Sequence, residues 1–136
     1  MPWVTGSPPG RCDMREMVTP DLSGPVPVAR VAGEVDLANA ARFRRELMAL
    51  ATDEVDGLVV DVTDVPYADS AGIRVLFDLA GGLRRRNQSL AVTVPVSSSL
   101  RRLLKITNFQ EVAPICEDAQ TAVQLIAKGR SSDLRS

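Results

Sequence analysis

The sequence predicts a single α/β domain with a mixed, mostly parallel sheet of four to five strands and about four helices packed against it. Short apolar runs of strand length alternate along the chain with segments whose apolar residues recur every three to four positions. This alternation favours parallel neighbours, because parallel strands are joined by crossover helices. The 136 residues, 45% apolar and 24% charged, suit one soluble domain and leave no room for a second.

The N-terminal part of the chain is predicted to contribute a tail and two strands. Residues 1–11 are rich in proline and glycine, a composition typical of a disordered tail. Residues 13–18 are predicted as a short edge strand and residues 26–31 as a firmer strand, with a turn of proline, serine and glycine between them. We therefore expect the folded domain over residues 12–127.

Two helices are predicted to flank a central strand in the middle of the chain. Residues 38–50 mix apolar side chains with arginine and glutamate at helical spacing, which predicts an amphipathic helix beginning after Asp36. The β-branched run at 58–60 predicts a buried strand. Helical spacing resumes at residue 72 and continues to residue 83. Asn87 is placed to end that helix, because asparagine tolerates the left-handed conformation.

The last third of the chain repeats the alternation of strand and helix. The predicted elements are a strand at 90–94, a helix at 100–106 capped within Ser97 to Ser99, a strand at 112–115 and a helix that Asp118 opens. Residues 128–136 are polar, and we expect them to form a flexible C-terminal tail.

The segment that joins the central strand to the next helix carries the strongest functional signal. Asp61, Asp64 and Asp69 follow the strand in an acidic loop, and Ser70 comes directly after Asp69. Asp69 stands where a helix N-cap is expected, so Ser70 is a first-turn residue whose hydroxyl is displayed rather than packed. The amides of a first turn have no helical partner and tolerate a negative group there, phosphate included. Taken alone, such a tetrapeptide is most simply an ordinary helix cap.

The composition argues against enzymatic chemistry. The chain has no histidine, so Ser70 cannot belong to a Ser-His-Asp site, and Lys105 and Lys128 lack the spacing of a serine-lysine site. The missing histidines and the isolated Cys12 and Cys116 disfavour a transition-metal site. The acidic loop could hold magnesium, but its carboxylates more simply cap turns and a helix. We expect a binding module that is not an enzyme and holds no metal.

Charge and hydropathy also restrict the partners. A net charge of −1 gives no overall reason to bind nucleic acid or an anionic membrane. We expect the arginines at 84–86 and 101–102 to be solvent-exposed side chains on the surfaces of helices. No stretch approaches the roughly 20 apolar residues of a membrane span, and no secretory signal is recognisable. We expect a cytoplasmic protein whose two cysteines are separate thiols.

Three blocks of sequence resemble the STAS domain of anti-sigma factor antagonists. Residues 59–83 are similar to the family's strand, acidic loop and D-S-[SAT]-G helix start. Residues 31–36, Val-Ala-Gly-Glu-Val-Asp, are similar to the family's strand ending in G-E-[LIV]-D. Residues 100–109 are similar to its late helix. The blocks occur in the family's order and spacing over residues 26–127, so the resemblance implies a single STAS domain.

The resemblance implies a specific function. In this family the serine that matches Ser70 is phosphorylated by a partner that is both an anti-sigma factor and an ATP-dependent serine kinase of the GHKL type, and a serine phosphatase restores it. The unmodified chain is then expected to bind this partner and release a sigma factor, and phosphorylation of Ser70 is expected to switch binding off. ATP would belong to the partner, so we expect no cofactor in this chain.

The resemblance also implies a partner-binding surface around Ser70. Its residues, carried over position by position, are Asp36, Asp64, Asp69, Ser70, Ala71, Gly72 and Arg74. Ala71 fits the small residue that the family carries after the phosphoacceptor. Arg74 stands where small residues are frequent, so its bulk is expected to restrict which partner fits.

Two other functions stay open at this point. The chain could be the STAS module of a lipid-transport assembly or of another signalling assembly with no sigma-factor role. A small nucleotide-binding protein is a weaker alternative, because no glycine-rich turn follows a strand. The identity of the native partner separates these functions.

Overall fold

A computed structural model describes residues 18–66 and 68–135, with side chains to residue 128. Over these residues five strands form one sheet whose order in space is their order in the chain. They are β1 Val18–Asp21, β2 Val28–Ala32, β3 Gly57–Asp64, β4 Ser89–Thr93 and β5 Ile115–Cys116. β1 runs antiparallel to β2, and the other neighbours are parallel. The predicted mixed, mostly parallel sheet is confirmed.

Four α-helices pack on this sheet within the described residues. They are α1 Ala40–Leu50, α2 Ser70–Arg85, α3 Ser99–Ile106 and α4 Ala119–Arg135, and a short 3₁₀ turn at Phe109–Glu111 follows α3. Helices α1, α2 and α3 connect successive parallel strands and lie on the same face, as expected when each crossover advances the chain to the next strand in one direction. Helix α4 lies on the opposite face.

The core is therefore divided by the sheet into two unequal parts. The larger cluster packs α1, α2 and α3 on one face, and Phe43, Leu47 and Leu79 lie at its centre with almost no exposed surface. The smaller cluster packs Ala122 and Ile126 of α4 on the other face. Neighbours in β3 alternate between the two clusters, because successive side chains of a strand point to opposite faces.

The edge strand and the central strand differ from the prediction. The described edge strand, Val18–Asp21, continues past residue 18, where the predicted strand ends, and it contains Pro20, which an edge strand tolerates because one side of it needs no hydrogen-bond partner. The rest of the predicted strand, the predicted tail and Cys12 lie outside the described residues. β3 extends to Asp64, so Asp61 and Asp64 belong to the strand and not to an acidic loop, because this end of β3 still pairs with β2.

Two elements near the C-terminus also differ. The last strand is Ile115–Cys116, and residues 112–114, which were predicted to begin it, instead connect the 3₁₀ turn at Phe109–Glu111 to the strand. The backbone of α4 stays helical to Arg135, so this helix is longer than its apolar pattern predicts. The flexibility of residues 128–136 stays a prediction.

Candidate functional site

The loop between β2 and α1 lies directly against the start of α2. Gly33 opens this loop with φ at +90°, a conformation that glycine adopts without steric cost, and its N–H donates to the carbonyl of Asp64 at 3.3 Å. Val35 then forms an isolated parallel bridge with Ala68. The Val35 carbonyl accepts a hydrogen bond from the Asp69 N–H at 3.1 Å. The two motifs G-E-V-D and D-S-A-G are therefore hydrogen-bonded to each other.

Gly72 allows this close approach. A Cβ atom added at Gly72 would lie 2.8 Å from Cγ1 of Val35 and 3.1 Å from its carbonyl oxygen. A Cβ atom does not approach another carbon atom to within 2.8 Å, so Val35 or the helix would have to move if position 72 held any larger residue. The glycine of D-S-A-G therefore serves packing between two segments that are far apart in sequence.

Asp69 is the N-cap of α2, as predicted. Its Oδ1 accepts hydrogen bonds from the N–H of Ala71 at 2.9 Å and of Gly72 at 3.2 Å. Its Oδ2 accepts a third hydrogen bond from the N–H of Leu37 at 3.3 Å, across the contact with the loop. One carboxylate thus caps the helix and fixes the loop. It also occupies the first-turn amides of Ala71 and Gly72, so a phosphoryl group on Ser70 would not find these two donors free.

Ser70 is the first residue of α2 and its side chain is exposed. Its hydroxyl makes no hydrogen bond with any residue that the structure describes, whereas the backbone on both sides of it is held by Asp69. The hydroxyl is displayed from a fixed position, as the sequence predicts. It is therefore accessible to a second protein.

Asp36 stabilises the loop from within. Its Oδ1 accepts from the N–H of Ala38 at 3.0 Å and of Asn39 at 3.2 Å, and its own N–H donates to Oδ1 of Asn39 at 2.9 Å. The Asn39 side chain also donates to the carbonyl of Glu34 at 3.0 Å. This reciprocal turn holds the next residue, Leu37, with 80% of its surface exposed. Asp36 therefore lies in the predicted surface region, but its carboxylate accepts hydrogen bonds from its own loop.

A groove of about 610 Å³ runs between α2 and α3 and begins at Ser70. Its walls include Ala71, Arg74, Phe77, Leu103 and Thr107. Phe77 packs edge to face on the buried Phe109, with ring centroids 5.1 Å apart and planes at 86°, which holds one wall in place. The exposed serine therefore stands at the end of a largely apolar groove.

The structure does not bring every predicted site residue together. Asp69, Ser70, Ala71, Gly72 and Arg74 share the first turns of α2, and Asp36 lies next to Leu37 in the loop that contacts them. Asp64 is exposed at the end of β3. Its carboxylate makes no hydrogen bond or ion pair with the loop or with α2 over the described part of the chain.

Several residues that build this region were not among the predicted site residues. Leu37 carries a signal that could have been used, since it is a large apolar residue between Asp36 and the start of an amphipathic helix. Val35 lacks any such signal. Phe77, Leu103 and Thr107 look like ordinary helix residues, because only the packing of α3 beside α2 creates the groove.

Titratable groups outside this surface give no sign of a second site. No group of three or more histidine, cysteine, aspartate or glutamate residues within 18–66 and 68–128 is arranged to hold a metal ion. Burial, and secondarily the charge of Asp118, raises the pKa of the Cys116 thiol. Among the helices that the structure describes, none has the length and apolarity needed to cross a membrane.

A family model for the STAS domain matches residues 18–122, which contain the whole sheet and the Ser70 region. The chain belongs to the STAS domain family. An anti-sigma-B factor antagonist of Listeria monocytogenes is 35% identical over 85 residues, 62% of this chain and 74% of the relative. An anti-sigma-B factor antagonist of Bacillus subtilis is 31% identical over 94 residues, 69% of this chain and 84% of the relative.

Solved structures share the fold of this STAS chain at low sequence identity. An anti-sigma factor antagonist from Mycobacterium paratuberculosis superposes with a TM-score of 0.71 at 21% identity, over 81% of this chain and 92% of that one. The murine anion transporter Solute Carrier 26 family member A9 superposes with a TM-score of 0.65 at 15% identity, over 76% of this chain and 18% of the transporter. The fold is therefore common to regulators and to transporter modules, and it does not separate them.

Proposed function

We propose that this chain is an anti-sigma factor antagonist regulated by phosphorylation of Ser70. In its unmodified form it binds an anti-sigma factor with GHKL-type kinase activity and thereby releases a sigma factor in the cytoplasm. The observation that carries this proposal is the exposed hydroxyl of Ser70, which has no partner among the described residues and stands on a rigidly held helix start. The similarity to named anti-sigma-B factor antagonists supports it.

The proposed contact area is the Ser70 surface, which we define as Leu37, Asp69, Ser70 and Arg74 together with the α2–α3 groove. Leu37, whose N–H bonds to Asp69, supplies an exposed apolar side chain, and the groove that Ser70 lines supplies a second apolar area. A partner that covers both would also cover the serine. Apolar area surrounded by charged side chains is typical of a protein-binding surface.

Phosphorylation would oppose this contact electrostatically. A phosphoryl group adds a charge of about −1.5 to −2 at pH 7. It would lie next to Asp69, whose carboxylate already takes the amides of Ala71 and Gly72. Two negative groups would then have to lose water in the interface, which is costly unless the partner offers cations. We therefore expect the phosphorylated chain to dissociate from the anti-sigma factor.

The partner would supply the chemistry of the modification. The Ser70 oxygen attacks the γ-phosphorus of ATP bound to the kinase, its proton passes to a base and ADP leaves. The base belongs to the kinase, because this chain contains no histidine and the carboxylate nearest in sequence, Asp69, is engaged in three hydrogen bonds. A serine phosphatase then hydrolyses the phosphoester and restores the hydroxyl. The chain is a substrate and a binding partner, and not an enzyme.

The decisive experiment compares Ser70→Ala and Ser70→Asp with the wild-type chain. The partner is the anti-sigma factor that co-purifies with the full chain, and binding is measured by calorimetry. We expect Ser70→Ala to bind as tightly as wild type and to resist phosphorylation. We expect Ser70→Asp to bind at least about tenfold more weakly, which corresponds to about 1.4 kcal/mol. Mass spectrometry after incubation with kinase and ATP should place the phosphate on Ser70.

Ser99→Asp is the matched control. Ser99 is also an exposed first residue of a helix and also follows an N-cap, Ser98, so the control adds the same charge at the same helical position. It should leave binding unchanged. Equal binding by Ser70→Asp and Ser70→Ala would overturn the charge switch, and phosphate found within Ser97 to Ser99 would overturn the assignment of Ser70. Recovery of a lipid-transport assembly instead of an anti-sigma factor would favour the alternative function.

A further inference from the structure

Arg74 lies one helical turn after Ser70 on the same side of α2. Both side chains are exposed and both line the α2–α3 groove. Residues four apart on a helix have their Cβ atoms about 5–6 Å apart, close enough for oppositely charged side chains to pair. The acidic member pairs best when it precedes the basic member, and a phosphoserine at position 70 would be that preceding acid.

Arg74 is available for such a pair. The ion pairs within the described residues join Arg30 to Asp21, Arg42 to Glu46 and Arg86 to Asp53. Arg74 makes no ion pair with a described residue, and this includes Asp78, which lines the same groove one turn further along α2. The unmodified protein therefore holds an unpaired cation beside its exposed serine.

A phosphoryl group on Ser70 would need such a cation. The first-turn amides of Ala71 and Gly72, which otherwise receive an anion at a helix start, already donate to Asp69. Asp69 itself adds a negative charge at the neighbouring position. A guanidinium forms paired, charge-assisted hydrogen bonds with phosphate oxygens, and this geometry is stronger than a contact with a single ammonium.

We infer that Arg74 is the built-in counter-ion of phosphoserine 70, a positioning residue that draws the phosphoryl group along α2 and over the Ser70 end of the groove. This inference rests on the proposed function, because it concerns the phosphorylated form. It gives Arg74 a second role beyond limiting which partner fits. In the unmodified chain Arg74 faces the partner, and in the phosphorylated chain it faces the phosphate.

The test uses phosphoserine incorporated at position 70 of the full chain during translation, so that no kinase is needed. Four proteins are compared by thermal unfolding: wild type, Arg74→Gln, and each of these with phosphoserine 70. We expect phosphorylation to lower the Tm about 3 °C more in the glutamine background than in the arginine background, the range expected for one surface ion pair with a dianion. The difference should shrink in 1 M salt, where the screening length is about 3 Å.

Two controls separate an ion pair from a general effect of charge. Arg45→Gln removes an exposed arginine from α1, and it should leave the effect of phosphoserine 70 as it is in wild type. Arg74→Lys keeps the charge but not the paired hydrogen bonds. Phosphorylation should therefore lower its Tm by an amount between those measured in the arginine and glutamine backgrounds. In nuclear magnetic resonance spectra the Arg74 Nε–H signal should shift on phosphorylation, and the Arg45 signal should not.

The outcomes distinguish this inference from the proposed function. An equal Tm change in the wild-type and Arg74→Gln backgrounds, or a difference that persists undiminished in 1 M salt, would overturn the role of Arg74. Neither result would bear on the proposed function, because the phosphate was installed without the kinase. Conversely, a kinase that ignores Ser70 would contradict the proposed function and leave the measured pairing intact.

Discussion

The two ends of α2 are both tied to loops that flank α1, but they use different side chains to do so. At the N-terminal end Asp69 bonds the helix to the β2–α1 loop through Leu37, and Gly72 packs on Val35. At the C-terminal end Arg86 donates to the carbonyl of Ala51 at 2.9 Å and to Oδ1 of Asp53 at 2.8 Å, both in the α1–β3 loop.

The second side chain that joins the C-terminal end of α2 to the α1–β3 loop is Gln88, which is buried. Gln88 is only 7% exposed and donates to the carbonyls of Thr52 at 2.6 Å and Val55 at 2.9 Å. The exposed hydroxyl residues near this end, Thr52 and Ser89, lie outside α2, whereas the N-terminal end displays Ser70 on the helix itself, beside an exposed leucine. Both ends of α2 are therefore fixed to neighbouring loops, but only the N-terminal end also carries the Ser70 surface. Mutations should therefore reduce stability at both ends but reduce partner binding only at one.

The largest effect is expected for Gly72→Ala. The added Cβ would lie 2.8 Å from Val35, so helix and loop must separate, which costs about 3 kcal/mol in the free energy of unfolding. Gly82→Ala is the matched control on the same helix, because its Cβ would meet no atom closer than 3.9 Å. That change should stabilise the protein by about 0.5 to 1 kcal/mol through helix propensity. Urea unfolding measures the free energy of unfolding of both variants. An unchanged value for Gly72→Ala would contradict the close packing of the two motifs.

A smaller effect is expected when one polar tie is removed from each end. Asp69→Ala loses the helix cap and should cost about 0.5 to 2 kcal/mol of unfolding free energy. Gln88→Leu leaves two carbonyls without their donor and should cost about 1 to 3 kcal/mol. Calorimetric titration with the anti-sigma factor should show weaker binding for Asp69→Ala alone. If both variants bind equally, the N-terminal end has no role beyond stability.

The smallest effect is expected for a helix cap that is remote from the Ser70 surface. Asp118 caps α4, and hydrogen bonds from the backbone and side chain of Thr121 lower its pKa. The charged carboxylate therefore stabilises the fold above its ordinary pKa of 3.8, and this contribution is lost as the pH falls through the lower pKa of the folded state. Asp118→Asn should reduce the Tm at pH 7, the difference from wild type should shrink as the pH falls below 3.8, and partner binding should stay unchanged. A Tm difference that does not shrink on acidification would contradict a charge-based cap.

The sequence could predict those features of α2 that depend on residues close together in the chain. Asp69, Ser70 and Asn87 were placed correctly, because caps and left-handed helix ends depend on residues near each other in the chain, and Asn87 has φ at +59° as expected. Such features need no knowledge of distant packing. The fold class was equally accessible, since it follows from alternating patterns.

Contacts between distant segments explain what the sequence could not predict. Asp61 and Asp64 look like loop residues, but pairing with β2 keeps them in a strand. The role of Gly72 depends on Val35, which is 37 positions earlier. The groove depends on α3 lying beside α2, and the hydrogen bond from Leu37 to Asp69 depends on the β2–α1 loop lying against the start of α2. Each of these requires three-dimensional placement that no local pattern encodes.

The position of α4 has a consequence for the biosynthesis of the protein. One face of the sheet is covered step by step, because each of α1, α2 and α3 is made between the strands that it covers. The other face carries Val28, Val59 and Ala91, and the helix that covers it follows all five strands in the chain. A nascent chain therefore exposes this apolar strip until Ile126 has left the ribosome. Premature termination before α4 would leave a nearly complete sheet with one uncovered face, a product prone to aggregation and a ready substrate for chaperones.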